Sequence, residues 1–181
     1  MSDVLIIYAS ISGRTRRIVV ELSKKFSPLS VDSINLREGI NHSLLGYKLL
    51  VFGSPTYGIG EWHHLWDKWS ARIESFDIEW PQQPVAFFAL GDAKHHPESF
   101  ARAILHLGDF VHRLGARLVG QVPFDVSYDA HLCIPLLTGS QFPGLVLDHV
   151  TQRKLTEKRI ESWVCQIRSE IGGIQVPHDS H

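Results

Sequence analysis

The chain has 181 residues, 44% of them hydrophobic and 20% charged, with a formal net charge of −1. That balance suits one globular domain with a substantial core, and it excludes the strong pull toward nucleic acid that a basic chain exerts. No apolar run approaches the ~20 residues that span a bilayer, and two cysteines without metal-ligand spacing, behind an opening Met1-Ser2-Asp3 with no basic leader, lead us to expect a cytoplasmic protein.

Short, nearly continuous apolar runs alternate with helical patterns. Val4–Tyr8, Lys48–Phe52 and Val85–Leu90 read as strands covered on both faces, as in a parallel sheet. Val31–Leu36 reads as a weaker edge strand and Arg117–Val122 as a fifth. Helices are predicted over Thr15–Phe26, over Trp62–Phe76 with a stripe of Trp62, Leu65, Trp66, Trp69 and Ile73, over Ser99–Leu114 with Gly115 as C-terminal cap, and over Leu155–Ile171. Pro123 to Pro143 breaks the alternation and reads as a long loop, followed by the short strand Leu145–Asp148. The simplest account is a last strand interrupted by an insertion. The fold expected is an α/β doubly wound three-layer sandwich on a five-stranded parallel sheet of order 2-1-3-4-5. Residues 1–172 form the domain and 173–181 a mobile tail.

In such a sheet, ligands bind beyond the carboxyl ends of the strands, at the switch point in strand order. The first strand end carries Ser10-Ile11-Ser12-Gly13-Arg14-Thr15. Three hydroxyls and a glycine at a helix start can wrap a phosphate. No Gly-Lys-Ser/Thr ends the turn, as in a Walker A loop, and no Gly-x-Gly-x-x-Gly is present. A phosphate held by hydroxyls and amides suits a mononucleotide, with FMN the usual candidate. The plain alternative is a capped helix with Ser12 as N-cap. The third strand end gives Pro55-Thr56-Tyr57-Gly58-Ile59-Gly60-Glu61, and the fourth Leu90-Gly91-Asp92 through His96 to Ser99. A flat ring would slot between Tyr57 and His96.

Taken together, these segments make the chain resemble a long-chain flavodoxin from Val4 to about Ile171, with four motifs in order at the expected strand ends. The resemblance implies a one-electron carrier with non-covalent FMN. It would work as a monomer between an NAD(P)H-dependent flavodoxin/ferredoxin reductase and client redox enzymes, in a routine or stress-related role, away from nucleic acid and membrane. Carried over by position, Ser10, Ser12 and Thr15 would hold the phosphate with the amides of Gly13 and Arg14. Ile11 stands where a polar residue is common. Tyr57 and His96 would flank the isoalloxazine, with Pro55, Ile59 and Ser99 in the same two loops. Leu90, Gly91 and Asp92 would line the pyrimidine edge, and Thr56 and Asp148 would lie near the ribityl chain. A glycine at 58 tolerates positive φ, so its carbonyl can turn toward flavin N5 when one electron has arrived.

Two departures from the family stand out. The chain is near neutral where the family is acidic, and Arg14, Arg16 and Arg17 sit beside the proposed phosphate, so a less negative potential is expected. His96 stands where tyrosine is usual; an imidazole titrates near pH 6.5, so a pH-dependent potential is expected.

Other features have plainer readings. The tryptophan stripe is core, not an electron relay. His63, His64 and Asp67 form a solvated face, two metal-type ligands without a third being too few. Lys154, Lys158, Arg159 and Arg168 form an exposed helix face. Tyr128 and Asp129 are partner contacts or ordinary loop residues. Cys165 is packing, and Cys133 is the better reactive thiol. Two functional alternatives stay open from the residues: an FMN-dependent NAD(P)H:quinone oxidoreductase and a flavin-free binding module on the same fold.

Overall fold

The computed structural model describes residues 2–172. The expected tail at 173–181 lies outside the described residues. The main sheet runs in the order β2 (Val31–Asn35), β1 (Val4–Tyr8), β3 (Leu49–Pro55), β4 (Pro84–Gly91), β5 (Arg117–Leu118), all parallel. Three helices connect them: α1 (Arg14–Lys25), α2 (His64–Glu74) and α3 (Ala103–Leu114).

The apolar strands alternate in the face they present, because successive side chains point to opposite sides. Leu5, Ile7, Leu50, Phe52, Val85 and Phe87 pack into one core with Trp66, Ile104, Leu107 and Phe110 of α2 and α3. Val4, Ile6, Leu49, Val51, Ala86 and Phe88 pack into the other with Ile18, Val19 and Leu22 of α1. That second core also receives Ile160, Trp163, Val164 and Ile167 of the last helix, α5 (Arg153–Gly172). This division is why the strands read as unbroken apolar runs. Trp66, fully buried, donates from Nε1 to the Gly53 carbonyl at 3.1 Å, and Trp62 stacks on it at 5.9 Å between ring centroids. The stripe is core, as its spacing predicts.

The interrupted last strand is present. β5 pairs with the start of β4, Pro84 opposite Arg117, and the later strand β8 (Leu145–Asp148) pairs with its end, Gly91 opposite Asp148. Between them the chain leaves the sheet. Here the structure corrects the expectation of a loop. The insertion holds a ribbon of β6 (Val122–Pro123) and β7 (Gln141–Phe142), a short helix α4 (Ala130–Cys133) and a 3₁₀ turn at Ile134–Leu136. Tyr128, Cys133, Leu136 and Phe142 are buried within it, with the Tyr128 and Phe142 rings 4.7 Å apart. Arg159 is therefore not an exposed cation. Its guanidinium lies 3.8 Å from the Tyr128 ring and donates to Ser127 and Gln152, pinning the insertion to α5. Cys133 is not a reactive thiol either, since burial pushes it up to about 11, while Cys165 is exposed.

Candidate functional site

The turn after β1 differs from the capped helix in one respect. Ser12 is not the N-cap. Gly13 is, with φ 83° and ψ −4°, and no side chain bonds the first-turn amides of α1. The left-handed backbone at Gly13 explains the glycine. It leaves the positive end of α1 open to an anion. Thr15 is buried, Ile11 is 55% exposed, and Ser10 is 5% exposed with its hydroxyl lacking a hydrogen-bond partner. A buried hydroxyl without a partner carries a desolvation cost that a ligand oxygen would relieve.

The turn after β3 is closed by reciprocal backbone bonds between Tyr57 and Glu61, both 2.9 Å. Gly58 sits at φ +52°, where an added Cβ would lie 2.6 Å from Glu61 Oε2. Its carbonyl accepts a hydrogen bond from Ser99 Oγ at 3.3 Å. Thr56 binds both flanking elements: its amide donates to the Leu90 carbonyl, and its hydroxyl accepts from the Ala103 amide. Tyr57 stands edge-on to His63 at 5.2 Å between centroids.

His63 corrects the solvated-face reading. It is fully buried and is the N-cap of α2, its Nδ1 accepting from the Leu65 amide at 3.1 Å. Burial, then the neighbouring His64, lowers its pKa. His64 and Asp67 remain exposed, and Asp67 accepts the Trp62 indole N–H. Among the described residues no group of three metal-type ligands exists.

The turn after β4 is ordered by Asp92, which accepts from the His95 amide and pairs with the His95 ring at 2.9 Å. Burial raises the Asp92 carboxyl, but the His95 hydrogen bonds outweigh it and hold the pKa below the ordinary value. His96 is exposed, its amide donating to the Asp92 carbonyl.

These three turns enclose a cavity of about 430 Å³, within the range of small-ligand sites. Of the residues predicted, Ser12, Arg14, Pro55, Thr56, Tyr57 and Gly58 line it, as do Leu90, Gly91, Asp92, His96 and Ser99. Ser10, Ile11, Gly13 and Thr15 lie in its flanking turn without lining it, and Ile59, 82% exposed, belongs to the outer surface beside His96. Asp148 is a correction. Its buried carboxylate accepts from the amides of Val150 and Thr151 and from the Thr151 hydroxyl, so it caps the turn after β8 instead of facing the cavity.

The residue that sequence reasoning missed is the next one. His149 lines the cavity, and its Nε2 accepts from the Arg14 guanidinium at 3.2 Å. Burial first, and Arg14 second, keep its pKa low, so the ring stays neutral and able to accept. The family resemblance that singled out Asp148 was one residue short.

Residues 6–163 match the sequence profile of the flavodoxin family. The flavodoxin of Enterobacter agglomerans is 28% identical over 179 residues, covering 94% of this chain and 99% of its own. Flavodoxin 1 of Escherichia coli K12 is 30% identical over 166 residues, covering 92% and 93%. The crystal structure of Fusobacterium nucleatum flavodoxin bound to flavin mononucleotide superposes with a TM-score of 0.81, at 28% identity, over 94% of this chain and 99% of that one.

Proposed function

We propose the residue roles below from one premise: the chain belongs to the flavodoxin family. It is an FMN electron carrier, and it turns over no substrate of its own. Bound FMN supplies the redox chemistry, taking up and giving back electrons at its ring system.

The chain's own residues bind and orient that group. Ser10, Ser12 and Thr15, with the amides of Gly13 and Arg14, hold the phosphate. Tyr57 and His96 flank the ring, and Leu90 to Asp92 border its polar edge. The observation that carries this reading is the Ser10 hydroxyl, buried without a partner in a turn whose helix has no side-chain cap. A fold gains nothing by leaving both unsatisfied, and a phosphate satisfies both at once. Arg14 adds a cation there, and the neutral His149 ring steers it without competing charge.

Flavodoxins take electrons from reductases and pass them to redox enzymes. We assign the reductase here to the NAD(P)H-dependent class. The exposed Ile11, Tyr57 and Ile59 offer apolar contact area to such a partner.

Titration of the flavin-free protein with FMN and with riboflavin tests the phosphate assignment. The expected result is FMN binding tighter by at least about tenfold, because several charge-assisted hydrogen bonds are lost in riboflavin. Equal affinities would overturn it.

A further inference from the structure

Charge is spread unevenly over this molecule. α1 and α5 pack side by side on one face of the sheet. α1 carries five basic residues against one acidic, and α5 carries five against three. The two helices hold six more cations than anions in a chain of net charge −1, so the rest of the chain is acidic on balance.

Within this layer the excess sits at one end. Toward the end of α1 the lysines are neutralised, Lys24 by Glu21 at 3.0 Å and Lys25 by Glu157 at 3.2 Å and Glu161 at 3.5 Å. At the other end, Arg16 and Arg17 in the first turn of α1 and Arg153 and Lys154 at the start of α5 are exposed. Among the described residues, none of the ion pairs involves these four. That end is the carboxyl edge of the sheet, because α1 follows β1 and α5 follows β8. Arg17 and Arg153 line one groove, which meets the flavin cavity at Arg14 and His149. Glu38 lines a second groove with Arg16 and offsets one charge. Of the acids in the flavin turns, Asp148 is buried and Asp92 is paired with His95.

This placement works against the helices. The amino end of a helix is its positive pole, where acidic residues stabilise and basic ones do not. Neither first turn holds an acid. Arg14 has the FMN phosphate and His149 to account for it, and its four neighbours have neither. Exposed cations that the fold does not need, gathered beside a redox site, match a partner of opposite charge.

We propose that this end of the α1/α5 layer is the docking surface for an acidic redox protein, one that presents carboxylates around its own electron-transfer centre. The proposal rests on the carrier function stated above. A protein fits better than a nucleic acid or an anionic membrane, because a polyanion larger than the patch would meet the acidic remainder of the surface. The same asymmetry gives the molecule a dipole that turns this face, with the flavin beside it, toward a negative partner.

Calorimetry on the FMN-loaded protein, at low and at high ionic strength, tests this. The probe is a plant-type iron–sulfur ferredoxin, an acidic one-electron protein. Cytochrome c, which is basic, phosphatidylserine vesicles and duplex DNA are titrated beside it. Ferredoxin should bind at low salt, weaken as salt rises, and bind Arg16→Glu/Lys154→Glu at least about tenfold more weakly than wild type. That variant puts acids where the helix dipole favours them, so its melting temperature should equal or exceed that of wild type. A lower melting temperature would show that the cations serve the fold and would overturn the proposal. So would undetectable ferredoxin binding, an affinity unchanged in the variant, or cytochrome c bound more tightly than ferredoxin. Vesicles or DNA bound more tightly than ferredoxin, and released by the variant, would assign the surface to them and overturn it too. Ferredoxin titrated into the flavin-free protein decides the docking surface even if FMN fails to bind.

Discussion

The Ser99 hydroxyl donates to the Gly58 carbonyl at 3.3 Å, joining the 3₁₀ turn at Pro97–Ser99 to the turn after β3. Gly58 is the residue whose backbone is free to turn, at φ +52°, and Ser99 is the tether that holds its carbonyl in place. Removing the tether should make that carbonyl easier to redirect toward the flavin once an electron arrives. Ser99→Ala is therefore expected to raise the first-electron potential by about 40 mV, the equivalent of one hydrogen bond of about 1 kcal/mol. Potentiometric titration checks this. A variant that binds FMN more weakly at an unchanged potential would give Ser99 a structural role only.

Ser10→Ala separates binding from folding. The hydroxyl is buried without a partner, so its removal should leave the melting temperature of the flavin-free protein unchanged or slightly higher. FMN affinity should fall by about tenfold, as one charge-assisted contact is lost. Destabilisation of the flavin-free protein without loss of FMN affinity would contradict the assignment.

Two histidines link stability to pH in the same direction. His63 and His149 both have pKa values below their ordinary 6.5, chiefly through burial. The folded state thus binds fewer protons than the unfolded chain below that value. Their stabilising contribution is present above about pH 6.5 and is lost as pH falls toward the depressed values. Protonation of His63 also breaks the α2 cap, since Nδ1 can no longer accept from the Leu65 amide. His63→Asn keeps a good capping residue. It should flatten the fall in denaturation midpoint between pH 7 and pH 5, with stability at pH 7 within about 1 kcal/mol of wild type. An unchanged slope would remove His63 from the account.

Much of the fold was legible in the chain because the physics that builds it is local. Val4–Tyr8 is a strand from end to end as its apolar run predicts, and the helix through Val111 and Leu114 stops at Gly115, which takes the left-handed cap. The illegible parts depend on partners far apart in sequence. Nothing near His63 reveals that its imidazole caps a helix, because histidine is not a preferred cap. Nothing near Tyr128 reveals that Arg159 packs on its ring, so a folded insertion reads as loop. Of the site, the three strand-end turns were evident from residue type. His149 was not, because its role comes from Arg14 across the sheet's end.

The pinning of the insertion can be tested directly. Arg159→Ala loses the ring contact and the bonds to Ser127 and Gln152. The cost should be about 1–3 kcal/mol, expressed as faster amide exchange across residues 123–143 and not across β1, β3 and β4. Uniformly faster exchange over the whole domain would contradict this division.

The most direct test of the central claim is the visible spectrum of the protein, loaded with FMN, desalted, and reduced stepwise without oxygen. The account predicts flavin retained through desalting and reduction in two separated one-electron steps, with a populated half-reduced state. Flavin lost on desalting, or reduced in a single two-electron step, would contradict it.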